Sequence, residues 1–156
     1  MNTLIEDNIM KENAVILIAE DDRGHFELIK RNLHRSRLEN EIINFKDGQE
    51  IIDFLFTRRD GSNRDSGASY LLLLDIRMPK INGVEVLRSI KSDDELKKLP
   101  VIMLTTTDDS EEVKRCYDIG CNFYMVKPAD YEKFMEGVEN LGRFLSLEGI
   151  RLPVIR

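Results

Sequence analysis

Acidic, hydroxyl and basic side chains follow four short apolar runs of the sequence, and together they could transfer a phosphoryl group. The first run is followed by the acidic residues 20–22 and the third by Asp75. The fourth leads into the threonines 105–107, and the fifth is followed by Lys127. Phosphoryl transfer needs positioning and charge neutralisation, which a nucleophilic carboxylate, a cation, a hydroxyl and a lysine can supply. Each signal is weak alone, but their order at four run ends makes phosphoryl transfer to a carboxylate the leading hypothesis.

The acidic residues predict a metal site if they converge. Carboxylates that meet without a cation repel each other, and the pKa of at least one of them rises. Oxygen ligands at an open site favour a hard divalent cation, so the acidic residues 20–22 and Asp75 are candidate ligands of Mg²⁺ or Mn²⁺. Taken in isolation, the acidic stretch would more often be a solvated turn or a helix cap.

The apolar runs themselves are typical of parallel β-strands. They are almost continuously hydrophobic, without the polar alternation of a half-exposed strand, so both faces should be covered. The predicted strands are Val15–Ala19, Ile42–Phe45, Tyr70–Leu74, Val101–Leu104 and Phe123–Val126. Five βα units with right-handed crossovers predict an α/β fold with a doubly wound, five-stranded parallel sheet and five helices. The ligand site of such a sheet lies at the carboxyl ends of its strands, where the polar residues fall.

Helix start and stop signals separate the runs. Three segments, 47–50, 82–85 and 109–112, place an N-cap side chain three residues before a glutamate, which is the spacing of a capping box. Gly120 suits a helix end, because glycine accepts the left-handed conformation found there. A last helix is predicted over residues 131–147. Its apolar face carries Phe134, Val138, Leu141 and Leu145.

The 156 residues are enough for one domain. We expect a flexible N-terminal leader over residues 1–13, the domain over residues 14–147 and a C-terminal tail over residues 148–156. Residues 57–69 form a long polar insertion before the third strand, either flexible or an interaction loop. The tail is apolar, so it should pack on the domain or on a partner.

The charge balance limits the partners. A net charge of −6 disfavours nonspecific binding to nucleic acid or to an anionic membrane. The chain does not start with a signal sequence, and no apolar run is long enough to span a bilayer, so a cytoplasmic protein is expected. Cys116 and Cys121 cannot form a structural zinc site by themselves, and His25 and His34 add little to them.

Four motifs resemble the receiver domains of bacterial response regulators. They are Ile16-Leu-Ile-Ala-Glu-Asp-Asp22, Leu72-Leu-Leu-Asp-Ile-Arg-Met-Pro-Lys-Ile-Asn-Gly83, Leu99-Pro-Val-Ile-Met-Leu-Thr105 and Val126-Lys-Pro128. The resemblance covers about residues 14–146 and implies the flavodoxin-like receiver topology. It also implies that Asp75 is phosphorylated from a phosphohistidine on a sensor histidine kinase or a phosphotransfer protein.

The resemblance assigns a role to each site residue. Glu20 and Asp21 match the acidic pair of the family, with Asp21 as a direct metal ligand and Glu20 acting through water. Arg77 matches the position whose main-chain carbonyl also binds the metal. Thr105 matches the hydroxyl that turns to the phosphoryl group, and Lys127 matches the lysine that pairs with it.

Further positions match the switch of the family. Tyr124 matches the aromatic ring that moves inward when the threonine shifts, so the face of helix four, strand five and helix five should read out phosphorylation. Arg77 and Thr107, two places after the acceptor and the threonine, should tune the lifetime of the phosphoryl group, to minutes or longer. The bond from Lys127 to the next proline is expected to be cis, and Asp22 is expected to cap the first helix.

The insertion at 57–69 and the tail are similar to those of small receivers paired with bacterial phytochromes and related hybrid kinases. This similarity implies a stand-alone regulator without a DNA-binding output domain. Its partner would be a phytochrome-type or hybrid histidine kinase, and the last helix and tail could form a homodimer.

Three other classes of protein share parts of this pattern. Haloacid-dehalogenase-type phosphatases also use an aspartate after a parallel strand, but they need a second acid two residues later, where this chain has Arg77. A docking module that is never phosphorylated stays open, and failure of acetyl phosphate to modify Asp75 would indicate it. A nucleotide-binding domain would need a glycine-rich phosphate cradle, which the sequence lacks. We therefore predict no enzyme activity beyond self-phosphorylation and autodephosphorylation.

Overall fold

The strands of the sheet lie where the apolar runs predict them. The computed structural model describes residues 14–56, 64–65, 67–147 and 150–156, so the predicted leader and most of the predicted insertion lie outside the described residues. The strands are β1 Val15–Ala19, β2 Ile42–Phe45, β3 Ala68–Leu74, β4 Val101–Thr105 and β5 Phe123–Val126. They form a parallel sheet in the order β2-β1-β3-β4-β5, which confirms the doubly wound, flavodoxin-like fold.

Five α-helices in the described residues connect the strands. They are α1 Arg23–Arg35, α2 Gly48–Phe56, α3 Gly83–Lys91, α4 Ser110–Ile119 and α5 Tyr131–Ser146, and a 3₁₀ turn spans Leu96–Lys98. The side chains of Asp47, Asn82 and Asp109 each accept a hydrogen bond from a backbone N–H of the first turn, at 2.9 to 3.0 Å. Gly120 ends α4 with a φ of 128°. Within the described ranges, no helix has both the length and the apolar composition needed to cross a membrane.

Alternate residues of the strands face two hydrophobic cores, one on each face of the sheet. Every residue of β3 from Tyr70 to Leu74 is buried, as expected for a central parallel strand. Leu72 and Leu74 pack in the core that includes α2, α3 and α4, whereas Leu71 and Leu73 pack in the core that includes α1 and α5. The central strands β1, β3 and β4 are therefore buried along their length. The edge strands β2 and β5 are only partly buried, because each has one neighbouring strand, so the expectation that both faces of every strand are covered is wrong for these two.

The tail packs on the domain through a sixth strand. This short strand, β6 Val154–Ile155, pairs antiparallel with Ala68 and Ser69 at the start of β3. The side chain of Ile155 is fully buried. The expectation that the apolar tail packs against something is therefore met by the domain itself. The start of β3 is corrected from Tyr70 to Ala68, because β6 supplies a pairing partner for two residues that the sequence placed in the polar insertion.

Candidate functional site

The carboxyl ends of β1, β3, β4 and β5 bring the predicted residues to one edge of the sheet. The last residues of β1 and β3 are paired, so Glu20 and Asp75 leave the sheet side by side. The Asp75 N–H donates a hydrogen bond to the Ala19 carbonyl at 3.0 Å. The N–H of Lys127 donates to the carbonyl of Thr105, the last residue of β4, at 2.7 Å. Backbone hydrogen bonds between the strands therefore bring the carboxyl ends of β1, β3, β4 and β5 to the same edge.

Lys127 places a buried ammonium group between two buried carboxylates. Its Nζ donates to the Glu20 carboxylate and lies 3.3 Å from Asp75 Oδ2. The exposed fractions of Glu20, Asp75 and Lys127 are only 3%, 8% and 7%. Buried charges persist in proteins when they are paired and hydrogen-bonded. One lysine therefore offsets part of the negative charge of two acids.

Glu20 keeps its proton at higher pH than an ordinary glutamate. The pKa of its carboxyl is raised from 4.5 to about 7, chiefly by burial and also by the Asp75 carboxylate, against the lowering effect of Lys127. Its Oε1 also accepts a hydrogen bond from the Asp22 N–H at 3.1 Å. Additional positive charge at this edge would favour the ionised carboxylate.

The acids at this edge suit a divalent cation. One oxygen from each of Glu20, Asp21 and Asp75 lies within 4.8 Å of the others. Asp21 is exposed while the other two are buried, so the cluster is open to solvent on one side. The Arg77 N–H donates to Asp75 Oδ1 at 3.4 Å, which brings the main chain of Arg77 beside the acceptor. An oxygen-rich, partly open cluster of this kind fits Mg²⁺ or Mn²⁺.

The loop after β3 is shaped by Gly83, the first residue of α3. The Gly83 N–H donates to the Ile76 carbonyl at 2.7 Å. An added Cβ at this position would lie 2.0 Å from the carbonyl oxygen of Asp75. Asn82 caps the same helix through the Glu85 N–H at 3.0 Å. Asn82 therefore caps α3, and Gly83 allows the start of that helix to lie in close contact with the backbone of Asp75.

Thr105 carries a hydroxyl that the rest of the described chain leaves unsatisfied. Its side chain is fully buried, and its Oγ1 has no hydrogen-bond partner among the described residues. A buried polar atom without a partner costs free energy and requires an explanation. An acceptor that arrives at the site, such as a phosphoryl oxygen, would supply the missing partner.

Tyr124 is tied to the loop that follows Thr105. Its Oη donates to the Thr107 carbonyl at 2.7 Å. The pKa of the phenol is raised to about 12, first by burial and then by neighbouring acidic groups. Tyr124, which the family resemblance predicts to be a switch residue, therefore donates a hydrogen bond as a neutral phenol to the loop that follows Thr105.

The remaining predictions for the site have different outcomes. The side chain of Arg77 is exposed, and Thr107 contributes its carbonyl to Tyr124, so their effects on lifetime stay predictions. Asp22 accepts a hydrogen bond from the His25 N–H at 2.9 Å and caps α1, as expected. No peptide bond in the described residues is cis, so the expectation of a cis bond after Lys127 is wrong. The two isomers of a prolyl bond differ by only about 0.5–1 kcal/mol, so sequence alone does not decide between them.

His25 is the residue of this site to which sequence reasoning gave little weight. Its Nδ1 lies 3.4 Å from Lys127 Nζ and 3.8 Å from Glu20 Oε1. A single histidine has no spacing pattern of its own. One feature of the sequence could have indicated His25. It lies in the first turn of the helix after the acidic residues, and that turn begins at the edge of the sheet where the site lies.

Comparison with known proteins places this site in a family. The family of response regulator receiver domains matches residues 16–139 of the chain. A receiver domain of a response regulator from Rhodospirillum rubrum is 38% identical in its crystal structure, with a TM-score of 0.84 over 91% of this chain and 99% of that one. Response regulator Rcp1 from Synechocystis sp. is 33% identical over 139 residues, which cover 89% of this chain and 92% of Rcp1.

Two further crystal structures concern relatives in defined states. The Mn²⁺-bound form of Rcp1 is 31% identical and has a TM-score of 0.80 over 90% of this chain and 99% of that one. The phosphorylated cyanobacterial phytochrome response regulator RcpA is 31% identical, with a TM-score of 0.78 and the same coverage of 90% and 99%. The chain therefore belongs to the response regulator receiver family of two-component signalling. Within that family it is related to phytochrome response regulators, so the resemblance seen in the sequence is confirmed.

Proposed function

We propose that this receiver accepts a phosphoryl group on Asp75 from a phosphohistidine of a sensor histidine kinase or a phosphotransfer protein, in a reaction that depends on Mg²⁺ or Mn²⁺. The observation that carries the proposal is the buried Lys127 ammonium shared between Glu20 and Asp75, beside the exposed Asp21. The phosphorylated state of RcpA and the Mn²⁺-bound form of Rcp1 add support by analogy.

The chemistry requires one nucleophile and a set of positive charges. A carboxylate oxygen of Asp75 forms a P–O bond while the N–P bond of the phosphohistidine breaks, and the electron pair of that bond stays on the imidazole nitrogen. The Lys127 Nζ lies 3.3 Å from Asp75 Oδ2, so it can donate hydrogen bonds to the phosphoryl oxygens once they carry the negative charge. A divalent cation held by Glu20, Asp21 and Asp75 would neutralise further charge on the transferred group. The unsatisfied Thr105 hydroxyl would donate to a phosphoryl oxygen.

The proposed readout starts at the same hydroxyl. When Thr105 turns to the phosphoryl group, the loop to Thr107 must shift with it. The Tyr124 hydrogen bond to the Thr107 carbonyl would then change, and Tyr124 lies on β5 between α4 and α5 in the sequence. Phosphorylation would in this way alter the face formed by α4, β5 and α5.

The relationship to phytochrome response regulators supports a proposal for the partner. A phytochrome-type or hybrid histidine kinase in the cytoplasm is the proposed donor, and the last helix and the tail are the proposed surface for a homodimer. The receiver would catalyse only its own phosphorylation and autodephosphorylation. Arg77 and Thr107 would set how fast water reaches the acyl phosphate, which we expect to persist for minutes or longer.

Acetyl phosphate with Mg²⁺ tests the proposal, because it needs no knowledge of the cognate kinase. Intact-protein mass spectrometry should find one added phosphoryl group on the wild type, none after chelation with EDTA and none on Asp75→Asn. Asp94→Asn is the matched control, because Asp94 is a fully exposed carboxylate. Equal labelling of Asp75→Asn and the wild type would refute the assignment of the acceptor.

A further inference from the structure

His25 connects three parts of the molecule at the edge of the site. It lies in the first turn of α1, where its backbone N–H is bonded to Asp22 at 2.9 Å. Its ring packs against Phe134 of α5, with ring centroids 6.2 Å apart and planes tilted by 58°. Its Nδ1 faces Lys127 Nζ at 3.4 Å. The side chain is thus partly exposed, contacts α5 through its ring, and presents one ring nitrogen to the charged cluster.

The ammonium group of Lys127 has a complete set of partners only if His25 is counted. A lysine ammonium has three N–H donors and no acceptor. Three acceptors surround it here: the Glu20 carboxylate, Asp75 Oδ2 at 3.3 Å and His25 Nδ1 at 3.4 Å. Because the ammonium can only donate, the contact is a hydrogen bond in the His25 tautomer that leaves Nδ1 as the acceptor.

We infer that His25 is a positioning residue, whose Nδ1 anchors the Lys127 ammonium while the other two partners of that ammonium change. The inference rests on the proposed function, in which Asp75 becomes an acyl phosphate and Glu20 turns to a cation. Two of the three lysine donors must then turn to phosphoryl oxygens. The third can keep its direction, because the His25 ring contacts Phe134 of α5 and does not take part in the transfer. A flexible four-carbon side chain without this anchor would spend less time in the productive position.

Two substitutions separate the acceptor atom from the ring. His25→Asn places an amide oxygen the same number of bonds from Cα as Nδ1, so it keeps an acceptor and loses the ring. His25→Phe keeps an aromatic ring to pack on Phe134 but loses the acceptor. His34→Phe is the matched control, because His34 is an exposed histidine in the last turn of the same helix.

The first readout is the rate of phosphorylation by acetyl phosphate with Mg²⁺. We expect His25→Phe to be about tenfold slower than the wild type, since a hydrogen bond to a charged group is worth about this factor. His25→Asn should recover to within about threefold of the wild-type rate, given the scatter of such contributions. His34→Phe should match the wild type. The rescue by asparagine separates an acceptor role from a packing role, since asparagine packs worse than phenylalanine.

The second readout needs no phosphorylation. In ¹⁵N NMR at a fixed pH, the Nδ1 signal of His25 in the wild type should show an accepted hydrogen bond, and it should move towards that of a free imine nitrogen in Lys127→Met. The inference is overturned if that signal is unchanged by Lys127→Met, or if His25→Phe is phosphorylated as fast as the wild type. It is also overturned if His25→Asn is as slow as His25→Phe. A wild type that takes no label would instead refute the proposed function, and the NMR comparison would still decide the role of His25.

Discussion

The raised pKa of Glu20 predicts that this receiver loses stability as the pH rises through neutrality in the absence of metal. In the unfolded chain the carboxyl ionises near its ordinary pKa of 4.5, whereas in the folded protein its pKa is about 7. Between these values the unfolded state has released the proton and the folded state has kept it, so the free energy of unfolding falls with rising pH. At ~1.4 kcal/mol for each pH unit, the loss between about pH 5 and about pH 8 is ~2–3 kcal/mol.

Glu20→Gln removes this titration and is the direct test. Urea denaturation in EDTA, followed by circular dichroism at several pH values, should give a curve for Glu20→Gln that falls less with pH than that of the wild type, by ~2–3 kcal/mol over this range. Glu85→Gln, at an exposed helix position, is the control and should follow the wild type. If the Glu20→Gln and wild-type curves run parallel, burial of Glu20 does not perturb its ionisation and the electrostatic account of the site is refuted.

Three shorter predictions concern the scaffold. Gly83→Ala should lower the free energy of unfolding by ~1–3 kcal/mol in urea and slow phosphorylation, because its Cβ would overlap the Asp75 carbonyl; a neutral effect would contradict the loop geometry. Ile155→Ala should cost ~2–4 kcal/mol because the side chain is fully buried, while Leu147→Ala, at an exposed position, should cost far less. Burial raises the pKa of the Cys116 thiol to about 11, so iodoacetamide at about pH 8 should label it only after unfolding; rapid labelling of the native protein by mass spectrometry would contradict this.

The central strands could be located from the sequence because they are buried on both faces. Continuous apolar runs gave the bounds of β1, β2 and β5 as the structure has them, and β4 extends one residue further, to Thr105. The start of β3 could not be predicted, because the two extra residues owe their strand conformation to β6, which lies far along the chain. Local sequence carries no signal for such a pairing.

The residues that form most of the site could also be predicted from the sequence, but the contacts between their side chains could not. Parallel strands deliver their carboxyl ends to one edge, so Glu20, Asp75 and Lys127 had to be neighbours once the strands were recognised. The third partner of the lysine, His25, depends on how α1 packs against α5. The unsatisfied Thr105 hydroxyl likewise depends on rotamers and on packing around the strand ends, which residue spacing does not specify.

Reductive trapping of the phosphorylated protein tests whether Asp75 is the phosphoryl acceptor. Borohydride reduces an acyl phosphate and converts the phosphorylated aspartate to homoserine, which peptide mass spectrometry assigns to one position. After treatment with acetyl phosphate and Mg²⁺, homoserine is expected at position 75 and nowhere else. Conversion of Asp21 instead, or a phosphoryl group that survives reduction on the Thr105 hydroxyl, would contradict it.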